Sequence, residues 1–207
     1  MRRFLAIPLL ICIYIVCSSK SCSREEDIAH EEAVMLKTAI DSIRNEAEME
    51  SLSEQDLFSY SKIARQKFQD FAEYLAIVND TSTNIEFREK AAKMTSSLFI
   101  SDKVSISNPF SSSEKPLILD ELLSAGLSNI YPKQSFRIES ISDKQALRRV
   151  NDSLYSGRLS FNISCFIADS QNPKSISGSI EIHIVRVSKD FGDKRIRAWT
   201  VYLGEMK

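Results

Sequence analysis

The sequence predicts an α+β fold: N-terminal helices packed on a curved antiparallel sheet, a cone-like roll. Three observations lead there. Apolar residues in the first half recur at helical spacing, as in Leu57, Ala64, Phe68, Phe71, Leu75 and Val78. In the second half they alternate, as in Phe161, Ile163 and Cys165. Gly and Pro number only 5 each, so long elements are expected rather than many loops. Helices followed by a run of strands is the α+β order.

Taken in order, residues 24–50 read as a helix, with Ala33, Leu36, Ile40, Ile43 and Ala47 on one side and an acidic start that suits a helix N-terminus. Its apolar stripe is narrow, so it is either a spacer or a first core helix. Ser53 begins a second helix, with Asp56 completing a variant capping box, and the stripe runs to about residue 79. After a break at Asn79 to Ser82, Thr83-x-x-Glu86 reads as a capping box opening a third helix whose face is Phe87, Ala91, Met94 and Leu98. Val104 to Ser107 alternates like a short strand, Asn108 to Pro116 is a Ser-rich loop, and Leu117 to Ala125 is a short helix closed by Gly126. Strands are predicted at Phe136–Ile141, Leu154–Ile167, Ile176–Val187 and Ile196–Leu203. Asn172-Pro173 and Asp190-Phe191-Gly192-Asp193 mark turns, and such short connections imply an antiparallel meander.

Met1-Arg2-Arg3 followed by the apolar run Phe4 to Cys17 has the form of an export signal, too short to span a bilayer and interrupted by Pro8. Ser19 and Ser21 precede Cys22, and Ser23-Arg24-Glu25-Glu26-Asp27 follows it. The stretch resembles a bacterial lipoprotein signal, and the acidic residues resemble the tag after the lipidated cysteine in surface lipoproteins of the Bacteroidetes. The resemblance implies cleavage before Cys22 and a diacylglycerol on its sulfur, with Cys17 as the rival position. A plain signal cut near Cys22 is the alternative. The domains expected are a signal at 1–21, a helical extension or first helix at 22–52, and an α+β domain at 53–207. The expected location is the bacterial cell envelope, anchored on the periplasmic face or at the cell surface.

Removing Arg2, Arg3 and Lys20 from the 27 basic residues leaves 24 against 28 acidic ones, a net charge of −4. That balance gives no electrostatic footprint for nucleic acid. Of the four cysteines only Cys165 lies in the body, where it alternates with apolar residues and reads as a buried small hydrophobe. Arg148, Arg149, Lys189, Lys194, Arg195 and Arg197 are scattered positive charge on loops and strand ends, a solvated face.

The segment Ser97-Leu98-Phe99-Ile100-Ser101-Asp102-Lys103-Val104-Ser105-Ile106, within this element order, resembles the nuclear transport factor 2-like, or polyketide-cyclase-like, superfamily. The resemblance spans roughly residues 53–207. It implies a cone whose members include isomerases, dehydratases and hydrolases using Asp, His or Tyr inside it, beside many with no enzymatic role. The residues an enzyme would use here are Asp102, Glu181, His183 and Tyr202. Yet Ile180, Ile182 and Ile184 alternate with Glu181 and His183, which puts that pair on the solvent side if the isoleucines face the core. Asp102 is expected to cap the turn between helix and strand. Trp199 reads as core, and His30 as a solvated residue of the acidic first helix. Glycine-rich phosphate loops, metal-spaced His/Cys clusters and nucleophile elbows are absent from the sequence, and no cofactor is expected. Asp41-Ser42-Ile43 and Asp152-Ser153-Leu154 resemble the O-glycosylation tripeptide of exported Bacteroidetes proteins, which implies modification at Ser42 and Ser153. The function expected is a lipid-anchored, non-catalytic binding or assembly role, its partner an envelope protein or a small apolar ligand. The alternative is a small cone-fold enzyme acting on an apolar ligand.

Overall fold

The computed structural model describes residues 34–35, 37–38, 51–107, 116–131, 133–167, 173–191 and 194–207. The chain divides into two units, Met1–Met49 and Glu50–Lys207. In the first, Val34, Met35, Lys37 and Thr38 are helical, and the Thr38 hydroxyl donates to the Val34 carbonyl at 2.8 Å. The signal, Cys17, Cys22, His30, Ser42 and the loop at 108–115 lie outside the described residues.

The second unit begins with α1 (Glu54–Val78). Its start matches the sequence reading: the Ser53 hydroxyl accepts from the Asp56 amide at 3.2 Å, and the Asp56 carboxylate accepts from the Ser53 amide at 2.8 Å. The Ser53 hydroxyl also holds the Asp56 carboxyl below its usual range. Ala64, Phe68, Phe71, Leu75 and Val78 are buried along one face. Each large apolar side chain so placed contributes about 1.5–3 kcal/mol relative to exposure.

Helix α2 (Ile85–Leu98) departs from the expected pattern at two points. Its N-cap is Asn84, whose side-chain oxygen accepts from the Glu86 amide at 2.9 Å; Thr83 instead closes the preceding turn on the Asp80 carbonyl. Asn is the stronger cap, and the helix takes it. The buried face is also rotated: Phe87 is 65% exposed and Met94 39%, while Arg88, Ala91, Ala92 and Thr95 are buried. The cause is Arg88. Its guanidinium donates to the Val78 carbonyl at 2.9 Å and the Gly126 carbonyl at 2.7 Å, acceptors in the last turns of two helices, where carbonyls carry the negative end of the helix dipole.

Strands β1 (Ser105–Ile106) and β2 (Leu117–Ile118) are short, and α3 (Leu119–Leu127) follows directly. Gly126 lies inside α3 rather than capping it. A Cβ there would stand 2.6 Å from the Asn79 side-chain oxygen, so the residue serves close helix packing. The cap is a Schellman turn around Asn129, at φ 60°, with the Ile130 and Asn129 amides bonding the Ala125 and Gly126 carbonyls, each at 3.0 Å.

The sheet continues with β3 (Gln134–Asn151), β4 (Leu154–Ile167), β5 (Lys174–Phe191) and β6 (Lys194–Met206), an antiparallel meander as expected. The full order is β2-β1-β6-β5-β4-β3, and β1 lies parallel to β6 at Ile106 and Met206, so the sheet is mixed rather than wholly antiparallel. Arg148 and Arg149 belong to β3, which runs ten residues past the expected strand end at Ile141 and carries four register shifts. Bulges and charges on an outer strand discourage pairing with another chain. Helix α1 touches both β3 and β6, which β4 and β5 separate, so the sheet curves around it.

Candidate functional site

Where α1 crosses the concave face a hollow of about 100 Å³ remains. Phe68, Phe71, Ala72 and Leu75 supply its helix wall, spaced at i, i+3, i+4 and i+7. Phe161 and Ile163 of β4 face them with Ile176 of β5, because these residues share the core side of the pleat. The Phe68 and Phe161 rings are 4.7 Å apart between centroids, and Phe71 meets Phe99 edge-on at 5.2 Å. Gly178, paired with Phe161, keeps the space open: a Cβ there would stand 2.7 Å from both the Phe161 ring and the Lys207 carbonyl oxygen. The polar residues at the hollow are Ser107, Ser177 and Lys207; among the described residues no Asp, Glu, His or Tyr side chain lines it.

A second polar arrangement lies on the outer face of the same strands. Arg158 forms an ion pair with Glu181, its cross-strand neighbour. His183 Nε2 is 3.7 Å from the second Glu181 oxygen, beyond hydrogen-bond length. The imidazole packs over Gly204, where a Cβ would come within 2.5 Å of Nε2. Burial pushes the His183 pKa down, against the opposing pull of Glu181 and Glu205. The ring is therefore neutral at pH 7, and its Nδ1 has no hydrogen-bond partner among the described residues. Ile180, Ile182 and Ile184 are buried on the opposite side, and neither Glu181 nor His183 lines any hollow named here.

Of the other residues singled out from sequence, Asp102 is exposed in the turn before β1. That turn is closed by Ser101, whose hydroxyl accepts from the Lys103 amide at 3.1 Å, rather than by the Asp102 side chain. The Asp102 carbonyl accepts from the Asp120 amide. Tyr202 is half-buried opposite His183 in the β5–β6 register, with the Lys67 ammonium 5.4 Å from its ring centroid. Burial lowers the Lys67 pKa. The structure thus joins Glu181, His183 and Tyr202 on one face of the sheet, away from the hollow. Trp199 is buried against Tyr155, ring centroids 5.4 Å apart. Cys165 is buried beside Gln134, and burial raises its thiol pKa, which leaves it an unactivated thiol. Ser153 is exposed in the β3–β4 turn.

Between the start of α1 and β3 lies a shallower groove of about 290 Å³. Its Asp143 carboxylate is engaged by the Ser61 hydroxyl and the Arg65 guanidinium, at 3.0 and 2.7 Å. Among the described residues no group of three or more His, Cys, Asp or Glu is placed to hold a metal ion, and no helix is long and apolar enough to cross a membrane. The hollow itself was not singled out from sequence. Its one local signal is Gly178 in the middle of an alternating strand, a position that marks close approach of another group.

Neither a protein-family model nor a curated protein matches the sequence. Among solved structures, one described as a scytalone dehydratase from Novosphingobium aromaticivorans is similar at 10% identity and a TM-score of 0.39, over 74% of this chain and 90% of its own. Another, the epoxide hydrolase/cyclase-like enzyme SalBIII, described for pyran ring formation in salinomycin, is similar at 14% identity and a TM-score of 0.22, over 68% and 92%. Likeness at this level decides neither fold nor chemistry, which rest on the residues described above.

Proposed function

We propose that Glu50–Lys207 is a non-catalytic binding domain whose concave hollow receives a small apolar group, carried on a chain anchored in a bacterial envelope by lipid at Cys22. One observation supports the binding role: the hollow is walled by aromatic and aliphatic side chains, and among the described residues no Asp, Glu, His or Tyr lines it, while its Lys207 ammonium is paired with Glu205. A general base must lie within hydrogen-bond reach of the proton it takes, and Glu181 and His183 are on the far side of the sheet. The anchor rests on the residues around Cys22. Thermal-shift screening with small apolar compounds tests the binding role; stabilisation by a compound that is recovered unchanged after prolonged incubation is the expected result. For the anchor, Cys22→Ala should release the chain from membranes or block its processing. A mature N-terminus without a diacyl adduct would refute it.

A second reading, an enzyme acting on the apolar ligand, is favoured by the Arg158–Glu181–His183 arrangement, which keeps a neutral imidazole beside a carboxylate. It requires turnover of a bound compound that disappears in His183→Gln. Turnover that survives His183→Gln, Glu181→Gln, Asp102→Asn and Tyr202→Phe would remove these residues from consideration.

A further inference from the structure

We infer that the hollow takes a neutral, compact hydrocarbon group and has no subsite for a charged head. The inference rests on the binding reading above and narrows its ligand class. The size sets the first limit. A volume of about 100 Å³ is below the ~150 Å³ of an apolar cavity known to hold benzene, so roughly six carbons are an upper limit: a branched aliphatic end fits, and a ring enters in part through the open side. The walls set the second. The Phe68 and Phe161 rings, tilted by 31° and in contact at 4.7 Å between centroids, form one aromatic wall, which suits an aromatic ring or a branched aliphatic group.

The state of the polar atoms sets the third limit. The Ser107 hydroxyl already donates to the Met206 carbonyl at 3.1 Å. The Lys207 ammonium is held by Glu205 at 3.0 Å, and the Lys207 carbonyl accepts from the Ser179 amide at 2.6 Å. Of the three polar residues at the hollow, two therefore have polar groups engaged within the protein, and Ser177 offers one neutral hydroxyl and no charge. A carboxylate drawn into this space would lose its water and have to compete with Glu205 for the Lys207 ammonium, a costly transfer. A hydrocarbon loses nothing of the kind.

The test is titration of the full chain with toluene and with hexanoate, read from the methyl resonances of Ile163, Ile176 and Met206. Toluene should give saturable shifts, and hexanoate should bind at least tenfold more weakly. Ala72→Leu, which fills the hollow from the helix side, should abolish the toluene response. Toluene binding that survives unchanged in a folded Ala72→Leu protein would place the ligand elsewhere and overturn the inference. Lys207→Gln removes a cation at the hollow; with that ammonium already held by Glu205, the change should leave the ratio of toluene to hexanoate affinity unaltered. Hexanoate binding as tightly as toluene, or weakening on Lys207→Gln, would reveal a head-group subsite: the inference fails and the binding reading stands. If neither compound moves these methyls, both fail.

Discussion

On the inner face of β5 and β6, Ile182, Ile184, Val201 and Leu203 are almost wholly buried, whereas one residue along, Glu181, His183 and Tyr202 keep part of their surface in water. The strands are the same; what differs is the cover. Helix α1 lies over the inner side, so inner positions are decided by packing volume. The outer side bears cross-strand polar pairs such as Arg158–Glu181 and the Ser142–Ser160 hydroxyl contact at 2.8 Å. A sheet covered on one side teaches where chemistry can be sited. The groups that look catalytic in sequence are polar because they face solvent, and the space able to hold a ligand is bounded by residues that look like ordinary core.

Substitution at adjacent positions of β5 should separate the two faces most sharply. Ile182→Ala removes buried methyl groups under α1 and should cost about 3 kcal/mol, within the usual range for such truncations. Glu181→Ala, on the outer side, breaks a part-exposed ion pair and should cost less than about 1 kcal/mol. Urea denaturation followed by circular dichroism measures both. Equal losses would mean that the outer cluster is a structural element in its own right.

Glycines provide the next comparison. At Gly178 an added Cβ meets a backbone carbonyl oxygen and a buried ring, each at 2.7 Å, and neither can move freely. Gly178→Ala should therefore cost about 2 kcal/mol, as overpacking does. At Gly204 the obstacle is the His183 imidazole, the far end of a side chain that can rotate. Gly204→Ala should cost about 1 kcal/mol, the size of an off-rotamer penalty. Most of that cost should disappear when the change is made in a His183→Ala background, which leaves only the contact with the Glu181 Cβ at 3.0 Å. A Gly204→Ala cost that persists in full there would trace to the Glu181 Cβ or the backbone and not to the imidazole.

The limits of reading this sequence follow the same division. The period-two pattern placed Leu154–Ile167 correctly at both ends, because burial on one side leaves a clean alternation. It also ordered β4, β5 and β6 as a meander, although Asn172, Gly192 and Asp193 of the expected turns lie outside the described residues. Beyond Ile141 the alternation of β3 fails, since its bulges shift which residue faces the core, and a strand of 18 residues read as six. Helix α2 misled for a different reason. Arg88 lies outside the expected apolar face, yet it is buried by its bonds to the Val78 and Gly126 carbonyls, which belong to other helices. Gly126 likewise signals a helix end locally and answers to Asn79 in space. The facing of Glu181 and His183 was legible from the isoleucines between them. The hollow was not, because it depends on the spacing between α1 and the sheet and on Gly178.

The smallest effect expected is a pH dependence seated on the outer face. The His183 pKa in the folded chain lies below 6.5, its ordinary value, chiefly because burial disfavours the charged ring. As pH falls through 6.5 the unfolded chain takes up this proton first, so it binds more protons than the folded chain and stability declines. The decline continues until the folded imidazole is itself protonated; above 6.5 the residue contributes no slope. Asp56, whose folded pKa is lowered by Ser53, loses its contribution only below the ordinary carboxylate value of 3.8, so the two windows are separate. His183→Gln should therefore flatten the stability profile between roughly pH 7 and pH 5 and leave it unchanged at higher pH. Urea midpoints at several pH values would measure the slope. A wild-type protein that gains stability on acidification relative to His183→Gln would reverse the sign. It would mean that the protonated ring closes the 3.7 Å gap to Glu181 and that this attraction outweighs the burial.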